Sequence, residues 1–351
     1  MNRTVSFILL GLALFLVQPL MAATYYVGTC KTESYATIQA AVEAVPPGST
    51  IQVCPGTYYE QVIISKALTL EAIPTSSRGP VVISDAGVSL ATTTSIYWGA
   101  IAPQVQVTAG PVTIADVNME ETNWNACPAT EIAIFFASGS SGTVKGVETN
   151  GNCYLGSIGI EAENGAGATQ SVTIENNEIH AGSIAGIAVG SDQVPTSSLT
   201  AIVSNNYVWT SPVGIMSLGN SHGSISDNFI ASYPGGGTGV WAGSCCVPVT
   251  GNWIEAQNIG IDIEGTLVSV TSNRIFASSA TGINIGVGGV TVKGNGISYT
   301  VGNAIEFNCT TSDTITGNII IDANVGLDKV PAGFAGLNTF YNVNTKQTGG
   351  C

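Results

Sequence analysis

Two short motifs recur along the chain at one shared period, and a repeat of that length permits few folds. Gly-Ile-x-x or a near variant recurs with its apolar member at Ile160, Ile187, Ile215, Val240, Ile261, Ile283, Ile305 and Leu327. Between these units runs a Val-rich segment ending in Asn-x-Ile or a variant of it, with asparagines at Asn177, Asn206, Asn228, Asn252, Asn273, Asn295 and Asn318. In the second half both series step by 21 to 25 residues. A period near 22 that holds three β-branched segments, each alternating inward and outward, fits one coil of a parallel β-helix. Coils would stack at about 4.8 Å, with Val and Ile columns filling the shaft. The asparagines are expected at a sharp bend, in the left-handed conformation and bonded to one another along the stack. Gly before Ile reads as a corner; neither GxGxxG nor GxxxxGK[ST] occurs.

Composition narrows the function. Nine Lys+Arg against 23 Asp+Glu give −14, which excludes a nucleic-acid partner because that affinity rests on basic side chains. Residues 1–23 carry Arg3, an apolar run from Phe7 to Val17 and the small pair Ala22-Ala23, the pattern of a secretory signal. Its removal leaves 8 basic and 23 acidic residues, or −15. No second apolar run follows, so the expectation is an exported protein, extracellular or periplasmic, without a membrane anchor.

Residues Tyr35 to Val45 place apolar side chains at helical spacing and stop at Pro46-Pro47-Gly48. Strand-like Thr50–Cys54, the turn Pro55-Gly56, Tyr58–Ile64 and Ala67–Leu70 follow. This stretch, YATIQAAVEAVPPGSTIQVCPGTYYEQVII, resembles the capping helix and first coil of the right-handed parallel β-helix superfamily typified by pectate lyases and pectin methylesterases. The resemblance implies an all-β, right-handed parallel β-helix solenoid over residues 24–330, with residues 24–48 as its N-terminal cap and 331–351 as a C-terminal tail or cap. It also implies work on a polysaccharide at an outer face.

Eight cysteines in an exported chain point to disulfides. Cys127 and Cys153 each lie seven residues before an inward isoleucine, Ile134 and Ile160, so they share one corner of consecutive coils. That spacing falls within the roughly 4.4–6.8 Å that a disulfide spans. Cys30–Cys54 would join the cap to the first coil. Cys309–Cys351 would tie down the tail, leaving Cys245 and Cys246 as a vicinal pair.

The outward column beside the Gly-Ile motif reads Glu161, Ala188, Met216, Trp241, Asp262, Asn284, Glu306 and Asp328, with Glu163 and Glu264 two positions further on. Asp262, Glu306 and Asp328 are catalytic candidates, because coil spacing brackets the separations of paired-carboxylate glycosidases. Trp241, Glu264 and Asn284 would bind substrate, and Asp262, Glu264 and Glu306 could hold Ca²⁺. A second outward column carries Tyr207, Phe229, Trp253 and Arg274. Its aromatics form a sugar platform, or a patch covered by the tail or by self-association; Arg274 is the candidate lyase base.

The catalytic sets of polygalacturonases, pectin methylesterases and mannuronan epimerases are absent. The expectation is therefore a polysaccharide-directed secreted protein, either a lyase or glycoside hydrolase using the acidic face, or a non-catalytic carbohydrate-binding, structural or adhesive one.

Overall fold

The structure is a computed structural model that describes residues 23–349 apart from 75–78, 123–126, 152, 154, 166, 182, 195, 211, 309–312 and 332. The signal segment, except Ala23, and the Cys309–Cys351 pairing lie outside the described residues. The chain winds into a parallel β-solenoid of about eleven turns. One wall is a twelve-stranded parallel sheet running from Thr24–Val27 to Thr314–Thr316. A second wall follows the asparagine corner, and a third carries the Gly-Ile strands. The second and third merge where single strands such as Phe229–Ala242 and Gly296–Phe307 pass round the bend.

The register is the one the repeat implies. Ile134, Ile160, Ile187, Ile215, Val240, Ile261, Ile283, Ile305 and Leu327 are neighbours in a single file, and all are fully buried. Each such side chain contributes roughly 1.5–3 kcal/mol on removal from water. The preceding glycines have a packing reason. A Cβ on Gly260 would lie 2.5 Å from the carbonyl oxygen of Gly282 in the next coil and 2.6 Å from Ile275 Cγ2.

The asparagines form a buried ladder, but the left-handed residue is not the asparagine. It is the one before: Asn176, Asn205, Asp227 and Ser272 have φ of 56°, 55°, 56° and 59°, and Gly251, Gly294 and Gly317 have 71°, 68° and 66°. That residue turns the corner, which points the next side chain inward. There each Asn Nδ2 donates to Oδ1 of the next Asn at 2.8–3.0 Å, from Asn177 through Asn318 to Asn338. Backbone N–H groups from Asn177 to Asn318 donate to the same oxygens at 2.9–3.1 Å. The buried polar groups at this corner thus satisfy one another.

Both ends of the shaft are closed. Helix α1 (Ile38–Ala44) plugs the top with Ile38, Ala41 and Val42. It stops short of the periodic pattern because Val45 precedes proline and is extended, with ψ 149°. At the other end, Thr339–Tyr341 pairs with Ile319–Ile321 and Thr345–Thr348 pairs with the strand end at Asp328. Phe334 and Phe340 pack against the core. The tail thus adds a coil under the stack and does not cover the aromatic column.

Among the described residues two disulfides are formed, Cys30–Cys54 and Cys127–Cys153, with Cα separations of 5.6 and 6.0 Å. Such bonds belong to an oxidising compartment. Cys245 and Cys246 are free thiols. Among the described residues no helix is long and apolar enough to cross a membrane.

Candidate functional site: the uncovered half of the third wall

The outward column Glu161, Ala188, Met216, Trp241, Asp262, Asn284, Glu306, Asp328 is real, each member registered with the next. Its upper half, however, is not on the surface. The chain between Asp85 and Gly99 folds back over it, and Thr93–Ser95 pairs antiparallel with Gly99–Ile101. Beneath this flap Ile101, Ile132, Phe135, Ile158 and Met216 form an outer apolar cluster with Trp98 and Trp241 at its border.

The flap is held by carboxylates. Ser95 Oγ and the Ile96 N–H both donate to Glu163 Oε2 at 2.7 Å. Trp98 Nε1 donates to Glu161 Oε1 at 3.0 Å, and Tyr97 donates to the Ser191 carbonyl at 2.6 Å. Burial pushes both carboxyls up from the usual carboxylate range, Glu161 well up and with the charge of Glu163 adding to it. A third buried carboxyl, Glu131, has no hydrogen-bond partner on either oxygen. Burial, and secondarily the charge of Asp85, raise it from 4.5 to about 7.

A group whose pKa is raised by folding adds stability below its unfolded value and loses it as pH climbs through the folded one. Thermal stability is therefore expected to fall between about pH 4.5 and pH 7, and Glu131→Gln to flatten that slope. Thermal unfolding followed across this range checks it. An unchanged slope in the variant sinks the assignment.

Below Trp241 the wall is open. Asn284 Nδ2 donates to Asp262 Oδ1 at 2.8 Å. Asn303 Nδ2 donates to both Glu306 Oε2 (3.2 Å) and Asp328 Oδ2 (3.1 Å), so one amide joins two carboxylates from successive coils. Thr281 Oγ1 and Lys329 Nζ also donate to Glu306, at 3.3 and 2.9 Å. The Lys329 ammonium holds the Glu306 carboxyl below its usual range. Glu264 is pushed the other way, by partial desolvation and then by the charge of Asp262. Trp241 is half-buried at the flap's edge, with no hydrogen-bond partner for its indole N–H.

Asn303, Thr281 and Lys329 escape a reading that counts outward positions only forward from the isoleucine. Alternation resumes on the far side of the inward-kinked glycine, which makes Ile259, Thr281 and Asn303 an outward file as well. Lys329 directly follows Asp328. Asp262, Glu264 and Glu306 do not converge to metal-ligating distance. The one group of three metal-capable side chains among the described residues is Cys127, Glu131 and Cys153, whose sulfurs are joined to each other.

On the second wall the aromatic column is also in register: Tyr207, Phe229, Trp253, Arg274. Its rings stack along the axis. Tyr207 lies parallel to Phe229 at 5.0 Å, Phe229 meets Trp253 at 6.3 Å, and the Arg274 guanidinium closes the file 5.7 Å from the Trp253 ring. His180 closes the other end, 6.3 Å from Tyr207. Tyr207 and Phe229 thus spend a face on each other, whereas Trp253 is tilted by 33° to Phe229 and His180 by 49° to Tyr207.

Residues 195–345, less than half of the chain, match the sequence model of a family described as periplasmic copper-binding protein (NosD). The chain is similar in structure to the GH136 lacto-N-biosidase from Eubacterium ramulus, at 10% identity and a TM-score of 0.57, over 94% of this chain and 68% of that one. It is similar also to XylC in its complex with xylose, at 11% identity and a TM-score of 0.51, over 91% and 86%. No curated protein sequence matches it. At such identities the likeness is one of fold, the parallel β-helix. Among the described residues no group of three His, Cys, Asp or Glu side chains gathers in the matched segment, whose soft donors are the adjacent free thiols Cys245 and Cys246.

Proposed function

We propose that the chain is an exported, polysaccharide-directed β-helix protein whose ligand lies along the uncovered half of the third wall, from Trp241 to Asp328. The observation that carries this reading is the ladder itself. Asp262–Asn284 and Glu306–Asn303–Asp328 present carboxylates and amides in file beside the half-buried indole ring of Trp241. Such a mixture of hydroxyl-binding groups and one apolar ring suits a sugar chain, and the polar groups are already held in place by one another. The fold is shared with a lacto-N-biosidase and with a protein seen with xylose, which agrees with a sugar as ligand.

Binding is favoured over hydrolysis by the state of Glu306. Paired with Lys329, it cannot supply the raised proton affinity of a general acid. A hydrolase reading would leave that part to Glu264, which is shifted in the required direction.

Calorimetric titration with a panel of neutral and acidic oligosaccharides tests the proposal. One of them is expected to bind, and Trp241→Ala and Asp262→Asn are each expected to weaken it roughly 10- to 30-fold. Reducing-end assays on the same panel are expected to show no products. Failure of the whole panel to bind, or binding indifferent to both substitutions, removes the site.

A further inference from the structure

The second wall changes character below the aromatic file. Its two outward columns read Trp253–Arg274–Gly296–Ile319 and Glu255–Phe276–Ser298–Ile321. Gly296 and Ser298 therefore set one low coil between two coils that carry bulky side chains. The result is a notch of about 330 Å³, with an apolar lining and a floor formed at Gly296, Ile297 and Ser298. Its upper wall is Arg274 and Phe276, the latter braced edge-on by Tyr299 at 4.9 Å. Its lower wall is Ile319 and Ile321.

Nothing in the backbone requires glycine at this position. Gly296 is absent from the residues of positive φ, and a Cβ built on it would meet no atom within 4 Å. This sets it apart from Gly260, where the next coil leaves no room. The missing side chain keeps the notch open. Arg274 and Ile319 stand two strand spacings apart, roughly 9.6 Å between backbones, which leaves room for a single flat ring once both walls are in contact with it.

The charge is as specific as the shape. Arg274 lies over Trp253, and among the described residues no carboxylate reaches it within ion-pair distance. It is a cation at the rim of an apolar slot, in a chain of formal charge −14. A sugar would find one hydroxyl, that of Ser298, for its many polar groups, and so is poorly matched to the lining.

We propose that this notch is a second binding site, distinct from the third wall, for a small planar aromatic carboxylate: the ring between Phe276 and Ile319, the carboxylate on the Arg274 guanidinium. A guanidinium fork matches a carboxylate and keeps its charge while stacked on an indole.

Equilibrium titration of the folded chain with 2-naphthoate, and with neutral 2-naphthamide beside it, tests this. The acid is expected to bind one to one and about tenfold more tightly than the amide. Arg274→Gln is expected to bring the two ligands to equal affinity. Gly296→Val is expected to abolish binding of both while leaving the thermal midpoint and the oligosaccharide affinity of the third wall unchanged. Binding of naphthoate that survives Gly296→Val, equal affinity for acid and amide in the unsubstituted chain, or no binding at all overturns the proposal. Each of these outcomes is separable from a failure of the sugar reading, because that reading is tested with different ligands at Trp241 and Asp262.

Discussion

Replacing Asn252 by aspartate is expected to destabilise the fold by roughly 3–5 kcal/mol at neutral pH, although the two side chains are nearly the same shape. Asn252 is wholly buried. Its Oδ1 accepts from the N–H and from Nδ2 of Asn228, both at 3.0 Å. Its Nδ2 donates to the carbonyls of Ile225 (3.0 Å) and Thr250 (3.3 Å) and to Asn273 Oδ1 (2.9 Å). Aspartate preserves the acceptor and puts a second anionic oxygen where the donor stood, facing three acceptor oxygens. The buried carboxyl would take up a proton more readily than an exposed one, so its stability cost lies above its unfolded pKa and shrinks as pH falls. Urea unfolding at pH 7 and pH 4 reads both effects. A cost below 1 kcal/mol, or one that does not ease in acid, would show that the ladder does not hold this corner.

Gly260→Val is expected to be at least as damaging, by about 4 kcal/mol or more. The atoms in the way are a backbone carbonyl oxygen at 2.5 Å and a core methyl at 2.6 Å. The carbonyl belongs to a coil paired on both sides, so it cannot withdraw without breaking ladder bonds above and below. Soluble yield and the thermal midpoint check the loss, with Gly296→Val as the control. The same substitution at two glycines of one solenoid should split into a failure and a near-silent change. Comparable midpoints for the two would refute the packing account. In a solenoid each coil touches only its neighbours, so the damage should centre near residue 260 and show as two transitions where one was seen before.

What could be read from the sequence is what repeats. Ile160 to Leu327 and Asn177 to Asn318 fixed the register, the core and the Cys127–Cys153 bond, because in a parallel stack a shared position in the repeat means adjacency in space. What could not be read is what does not repeat. The flap around Ser95–Trp98 lies far in sequence from Glu161 and Glu163, and no periodicity announces that contact. The outward column at these carboxylates therefore looked exposed and proved buried. Ring orientation at Tyr207 and Phe229 was beyond reach for another reason: registration says that two rings are neighbours, not that they spend their faces on each other. The left-handed residue was misplaced by one because alternation does not reveal which of two consecutive corner residues turns the chain.

The asparagine file also has a direction. Every Oδ1 from Asn206 to Asn338 accepts a hydrogen bond from the coil before, and every Nδ2 from Asn177 to Asn318 donates one to the coil after and a second to a backbone carbonyl of the coil before. Amide dipoles that all lean one way add up, as peptide dipoles do along an α-helix, and each polarises the next. The file therefore has unlike ends, the negative one near Val147 and the positive one near Asn338. A cation introduced beside the first end, or an anion beside the second, should be better tolerated than the reverse.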